Sequence, residues 1–107
     1  MKTILIQIPL LADKKAEWDL MINHPEGIAL TRKQKGFISA EFGYTTDVDG
    51  NLMLNLWEKW ETQRDFENYN SIPERLEDSK FMQSFGAVAA GPPSMLWLQE
   101  FNSRFPG

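Results

Sequence analysis

The chain has 107 residues, which is enough for one domain with a substantial hydrophobic core. Hydrophobic residues make up 42% and charged residues 24%, which is typical of a globular chain and not of a disordered one. The formal charge is −4 and no long basic run occurs, so we expect no nucleic-acid partner. No stretch approaches the roughly 18 apolar residues of a membrane span, so no membrane partner is expected either.

The sequence contains no cysteine, which excludes disulfides, thiolate catalysis and cysteine-ligated metals and fits a cytoplasmic protein. The N-terminal apolar stretch superficially resembles a signal peptide, but Gln7 and Pro9 interrupt it and no cleavage site follows before Asp13. We interpret it as a strand. No linker or repeat is visible, so residues 1–107 are expected to form a single domain, with a loose tail at 103–107.

Alternating isoleucines predict a first strand over Lys2–Ile8, which Pro9 is expected to end. A helix should follow over about Ala12–Ile22. Its predicted apolar stripe consists of Ala12, Ala16 and Leu20, widened by Trp18, Met21 and Ile22.

The segment Asn23–Gly27 should break this helix, because proline is not accommodated in a helix interior. Pro25 is expected to open a new helix, with His24 or Asn23 as its cap. That helix should continue through Leu30 and stop at Gly36.

A second strand is predicted over Gly36–Thr46 and a third over Leu52–Trp60, joined by a hairpin turn at Asp47–Asn51. On the third strand, side chains at even and odd positions point to opposite faces. The even set is Leu52, Leu54 and Leu56, and the odd set is Met53, Asn55 and Trp57. Both faces are mostly apolar, so each must be covered by something.

Thr62 and Asp65 resemble a capping box in which Asp65 reaches back to the backbone. Phe66 and Tyr69 should share one face of the helix that follows. Pro73 is expected to open another helix.

A further amphipathic helix is indicated by Phe81, Phe85, Val88 and Ala89, and a last strand should span Ser94–Asn102. The order β-α-β-β-α-α-β predicts an α+β, ferredoxin-like domain with a four-stranded antiparallel sheet and helices on one face. The uncovered face would be a large exposed apolar patch, which a C2 homodimer pairing two sheets would remove.

The segments Gly36–Phe42 and Leu56–Thr62, followed by Phe66 and Tyr69, resemble the antibiotic biosynthesis monooxygenase family. The shared features are a Gly-Phe strand start, a glutamate a few residues on, a Glu-x-Trp-Glu strand end and an aromatic residue on the next helix. The resemblance covers roughly residues 1–101. It implies a dimeric α/β barrel and, in the better-known members, oxidation of quinol-like aromatic compounds without metal or flavin.

Other members of the family degrade haem, using an asparagine on the first strand, a tryptophan after the third strand and an iron-ligating histidine. At the matching positions this chain has Gln7, Tyr69 and Phe85. Since phenylalanine cannot bind iron, haem degradation is not favoured. Some members act on small signalling molecules, and many have no demonstrated activity.

Two residues are candidate catalytic groups. His24 is the one side chain that normally titrates near neutrality, so it could deprotonate a phenol or enol, or else simply cap the helix at Pro25. The Tyr69 hydroxyl could orient a substrate carbonyl or phenol, or else lie at an ordinary helix–sheet contact.

Three residues are candidate substrate-binding groups: Asn55, Trp57 and Phe85. The amide of Asn55 needs partners, which could be a ligand, a water or its mate across a dimer, and Gln7 has the same ambiguity. The aromatic side chains could line a cavity, although most of the tryptophans are expected in the core.

Glu41 and Glu58 occupy matching strand positions and could form an acid–base pair, although solvated or ion-paired carboxylates are the commoner outcome. No metal-ligand cluster or phosphate-binding loop is visible, and we expect neither a metal nor another cofactor.

Three functional hypotheses remain open. The chain is a cofactor-independent monooxygenase acting on a small planar aromatic or enolisable compound, a binding module for a small hydrophobic ligand, or a purely structural dimer.

Overall fold

Four strands form one antiparallel sheet. The computed structural model describes residues 1–99, in which the strands are β1 (Lys2–Leu10), β2 (Phe37–Thr46), β3 (Leu52–Trp60) and β4 (Ser94–Trp97). Their order across the sheet is β2-β3-β1-β4, and each pairing is antiparallel. This is the arrangement of a ferredoxin-like sheet, as the sequence predicted.

The helices cover one face of this sheet. They are α1 (Lys15–Ile22), α2 (Ile28–Thr31), α3 (Gln63–Tyr69) and α4 (Lys80–Val88), with 3-10 turns at Ala12–Lys14 and Pro73–Arg75. Within residues 1–99, no helix combines the length and apolarity needed to cross a membrane.

Side-chain alternation along the strands places the core on the helix side. Ile4 and Ile6 on β1 and Leu54 and Trp60 on β3 all point to this side and are at most 7% exposed. The opposite face, here called the outer face, is covered by none of the helices within residues 1–99, and Trp57 there is 41% exposed. The predicted separation of the even and odd positions of β3 is confirmed.

The prediction that Pro9 ends the first strand was wrong. The strand β1 continues to Leu10, which pairs with Leu52. The Pro9 carbonyl accepts a hydrogen bond from Ala90 N (2.8 Å), so this residue directs its backbone away from β3. Because β4 pairs with β1 only as far as Gln7, the missing proline N–H costs the sheet no ladder bond.

The predicted stripe of α1 was right in Trp18, Met21 and Ile22 but wrong in Ala12, Ala16 and Leu20, which are exposed. Leu20 is 76% exposed, whereas Trp18, Met21 and Ile22 are buried. Apolar residues occur on all sides of this helix, and the large indole of Trp18 takes the inward position.

The helix break is a turn, and Pro25 does not open the next helix. That helix, α2, begins at Ile28, directly after Gly27. A Cβ atom at position 27 would lie 2.5 Å from the carbonyl oxygen of Met21 and 2.6 Å from that of Ile22, so only glycine fits there. After Pro73 only one 3-10 turn forms, and α4 begins at Lys80, capped by the hydroxyl of Ser79.

The start of α3 and the end of β4 differ in part from the predictions. The Thr62 hydroxyl accepts from Asp65 N (3.0 Å) as expected, but the Asp65 carboxylate bonds that hydroxyl (2.9 Å) and not the backbone, since aspartate is too short to reach it. The strand β4 ends at Trp97, before the predicted Asn102, within the described residues. The remainder of that prediction and the loose tail at 103–107 lie outside them.

Candidate functional site

A cavity of about 130 Å³ lies between the sheet and the helices. An engineered cavity of about 150 Å³ in another protein binds benzene, so this one has room for a small ring. Most of its wall is apolar and comes from Ile6, Ile8, Trp18, Ile22, Ile28, Leu56, Phe66, Phe81, Met82 and Phe85. The polar side chains on the wall are Thr31, Glu58, Tyr69, Asn70 and Arg75.

Three of these polar side chains form one hydrogen-bonded cluster. The hydroxyls of Tyr69 and Thr31 are 2.8 Å apart, and Arg75 Nε donates to the Tyr69 hydroxyl at 2.8 Å. Arg75 Nη2 donates to the carbonyl of Gly27 at 3.1 Å. Helices α2 and α3 and the turn at Arg75 are therefore held together around the tyrosine hydroxyl.

Two buried donors that belong to cavity-lining residues have no hydrogen-bond partner among the described residues. They are Trp18 Nε1 and Arg75 Nη1, the one guanidinium nitrogen that this cluster leaves free. A buried donor without a partner costs about 1–3 kcal/mol of stability.

Glu58 places a carboxylate on the sheet side of the cavity. The residue is 2% exposed, and its Oε1 accepts from Trp60 Nε1 at 3.0 Å. Burial raises the pKa of Glu58, while the bond from Trp60 and the positive charge of Arg75 act in the opposite direction. A proton on this carboxyl is thus easier to retain than on an exposed glutamate.

Tyr69 is a neutral phenol at physiological pH. Burial raises its pKa, although the charge of Arg75 and the hydrogen bonds from Thr31 and Arg75 partly oppose this. Its ring stacks on Trp60 with centroids 5.2 Å apart, and the Arg75 guanidinium lies 5.2 Å from the ring centroid.

The predicted site residues do not form one site within the chain. Tyr69 and Phe85 line the cavity, and Phe85 makes an edge contact with Trp18 at 5.6 Å. Asn55 and Trp57 lie on the outer face, on the other side of the sheet, where they border an open depression.

Asn55 finds its partners within its own sheet. Gln7 Nε2 donates to Asn55 Oδ1 at 3.0 Å, and Asn55 Nδ2 donates to Thr45 Oγ1 at 3.1 Å. This cross-strand group explains how an amide fits in an otherwise apolar strand.

His24 lies in the turn between α1 and α2 and is exposed. Its Nδ1 accepts a hydrogen bond from Glu26 N at 3.0 Å, and its ring is 5.8 Å from that of Phe81. The imidazole therefore stabilises the turn beside a cavity-lining residue and does not line the cavity itself.

Glu41 and Glu58 do not form the acid–base pair considered as the less common outcome, because the two residues point to opposite faces. Glu41 lies across from Trp57 on the outer face, whereas Glu58 lies across from Ala40 on the helix side. The alternation of side chains along β3 already indicates that Glu58 faces the core, since it continues the even-numbered series Leu52, Leu54 and Leu56.

No family model and no curated protein sequence matches the chain. A structure from Bordetella bronchiseptica assigned as an antibiotic biosynthesis monooxygenase is similar, with 14% identity and a TM-score of 0.71 over 94% of this chain and 96% of that one.

Two further solved structures are also similar. A Streptomyces coelicolor monooxygenase in complex with nanaomycin D has 18% identity and a TM-score of 0.67, covering 99% of this chain and 92% of that one. A Nitrosomonas europaea protein of unknown function has 6% identity and a TM-score of 0.63, covering 99% and 94%. At such identities the likeness shows the fold, and the resemblance to antibiotic biosynthesis monooxygenases is confirmed at that level.

Proposed function

We propose that this chain is a cofactor-independent, monooxygenase-like enzyme for a small planar aromatic or enolisable compound bound in the cavity. The observation that carries the proposal is an apolar chamber whose few polar lining residues include Glu58, Tyr69 and Arg75. A planar substrate would fill the apolar part of the chamber, with its oxygen toward these polar side chains.

The chemistry requires little from the protein. A deprotonated phenol or enol can itself reduce dioxygen, so that one oxygen atom enters the substrate and the other leaves as water with two substrate hydrogens. The substrate supplies all the electrons. The chain would contribute a dry chamber, a fixed orientation and stabilisation of negative charge.

Within this proposal Tyr69 positions Arg75, and Phe85 packs against the substrate ring. Because both sides of the Tyr69 hydroxyl are already engaged, its main role would be to hold the guanidinium at the wall. His24 is the other catalytic candidate, but its exposure and its bond within the turn give it a smaller expected contribution.

The test is oxygen uptake with single-ring hydroquinones, phenols and 1,3-diketones. We expect turnover with at least one of them, and a decrease of about tenfold or more in Tyr69→Phe. Tyr44→Phe, which alters the chain's other tyrosine away from the cavity wall, is the control and should keep wild-type turnover. Turnover unchanged by Tyr69→Phe would reject the assignment of Tyr69, and the same result for His24→Ala would reject that of His24.

A binding module without chemistry is the alternative function. The hydrogen bonds that already occupy Tyr69 and the surface position of His24 favour it, because they leave few groups free for proton transfer. Saturable binding of the same compounds without oxygen uptake would select it. A volume of about 130 Å³ that the chain's own side chains do not fill speaks against the purely structural hypothesis.

We further propose that the chain forms a homodimer through the outer face, in the cytoplasm. Trp57 is 41% exposed there and Leu96 is 55% exposed, which a second sheet would cover. Trp57→Glu should then give a monomer by light scattering. Leu20→Glu, at an exposed position on the helix side, should leave the dimer intact. A monomeric wild type at micromolar concentration would contradict this proposal.

A further inference from the structure

The cavity between the sheet and the helices has a polar end and an apolar end. We infer that Phe85 and Trp18 close the apolar end and limit the length of the group that a single-ring ligand carries opposite its oxygen, so that Phe85 determines specificity. This inference rests on the proposed function for the choice of site and substrate class, and deepens it.

The polar end lies near the last residues of β3. Glu58 pairs with Ile4, and its Oε1 accepts a hydrogen bond from Trp60 Nε1 at 3.0 Å. The ring of Tyr69 stacks on that of Trp60 with centroids 5.2 Å apart, and the Tyr69 hydroxyl accepts from Arg75 Nε. The carboxyl, phenol and guanidinium groups of the wall therefore share this end of the cavity.

The apolar end lies farther along β1. Ile8 lines the cavity there, four residues from Ile4 and so about 13 Å away along an extended strand. Leu11 N donates to the Val88 carbonyl at 3.0 Å, which fixes the end of α4 beside the end of β1. Phe85, about one helical turn before Val88, therefore lies at this end.

Helix α4 runs from the polar end of the cavity to the apolar end. In its first turn the ring centroid of Phe81 lies 4.9 Å from the Arg75 guanidinium, whereas one turn later Phe85 makes an edge contact with Trp18 at 5.6 Å. Trp18 is 6% exposed and Ile8 is 5% exposed, so little of this end opens to solvent. The rings of Phe85 and Trp18 thus form a wall at which the far end of a ligand stops.

The volume of the cavity makes this wall matter. At about 130 Å³ it is close to the roughly 150 Å³ of a cavity that binds benzene, so one ring occupies most of it. When the oxygen of the ring faces the polar end, a substituent opposite the oxygen points at Phe85. Each added CH₂ group should raise the affinity by about fourfold until the wall is reached, and overpacking beyond it should lower the affinity by about tenfold or more.

The experiment measures the binding of 4-methylphenol, 4-propylphenol and 2-propylphenol under nitrogen by titration calorimetry. The wild type should bind 4-methylphenol about tenfold or more tightly than 4-propylphenol, although the second is the more apolar compound. Phe85→Ala removes the phenyl ring from the wall and should reverse this order. Since 2-propylphenol carries its chain beside the oxygen, Phe85→Ala should not improve its binding.

The variants separate selection from packing. A general loss of packing weakens all three ligands by a similar factor, whereas loss of the wall changes their order. Val88→Ala is the matched control, because Val88 is 5% exposed on the same helix but does not line the cavity, and it should keep the wild-type order. Phe85→Leu makes a smaller change than Phe85→Ala and should give an intermediate preference, which keeps the test available if Phe85→Ala does not fold.

A wild-type affinity that increases from 4-methylphenol to 4-propylphenol would overturn the inference, as would folded Phe85 variants that keep the wild-type order. Equal gains for 4-propylphenol and 2-propylphenol in Phe85→Ala would overturn it as well. Oxygen uptake is measured separately, so length-selective binding without turnover would leave this inference standing while refuting the proposed oxygenase. Turnover without length selection would do the reverse.

Discussion

Replacing Tyr69 by phenylalanine tests whether its hydroxyl holds the cavity wall together. The change keeps the stacking on Trp60 but removes the bond that Arg75 Nε donates and the 2.8 Å contact with Thr31. A buried hydrogen bond to a charged group contributes about 1.5–3 kcal/mol, so we expect the free energy of unfolding to fall by about 2 kcal/mol. For a chain of this size that lowers the melting temperature by roughly 10 °C.

Tyr44→Phe is the matched comparison, since Tyr44 donates at 2.6 Å to the exposed carboxylate of Asp19 and its loss should cost much less. Urea unfolding followed by tryptophan fluorescence would measure both variants. Equal losses of stability in the two would refute the idea that Tyr69 anchors Arg75. The expected cost also means that the activity of Tyr69→Phe must be measured well below its melting temperature.

Two more predictions concern stability. Gly36 has φ +84°, and a side chain there would overlap the carboxylate of Asp65, so Gly36→Ala should lower the free energy of unfolding by about 3 kcal/mol. Gly50 has φ +82° but open space around it, so Gly50→Ala should lower it by only about 1 kcal/mol. Similar urea midpoints for the two variants would contradict this. Burial makes the pKa of Glu58 higher in the folded chain than in the unfolded chain. The stability that the protonated carboxyl contributes is therefore fully present at acidic pH and is lost as the pH rises through the folded-state pKa. Glu58→Gln should thus stabilise the chain near neutral pH and lose that advantage toward about pH 4, and a pH-independent difference in the free energy of unfolding would refute it.

The sheet was predictable because strand alternation is a local signal. The bounds predicted for the third strand, Leu52–Trp60, agree with the structure, and the Asp-Gly turn joins it to β2 as expected. The helix ends were less predictable. Whether Pro25 opens a helix depends on how Gly27 packs against the end of α1, and that is a tertiary contact.

Within the candidate site, only residues that belong to a periodic apolar pattern could be predicted from the sequence. Helical spacing placed Tyr69 and Phe85 on inward faces, and both line the cavity. Arg75 lies in a 3-10 turn with no periodic pattern, so its approach to the cavity could not be inferred from sequence. The role of Trp18 as an unpartnered donor follows from packing alone.

We propose above all that the chamber between sheet and helices binds one small planar molecule. The most direct test of this binding is titration calorimetry with phenol under nitrogen, using the wild type, Leu56→Phe and Leu52→Phe. Both leucines are half-buried on the helix side of β3, but only Leu56 lines the cavity. The account predicts saturable binding of about one phenol per chain, lost in Leu56→Phe and kept in Leu52→Phe. Absence of binding in the wild type, or equal binding in all three folded proteins, would contradict it.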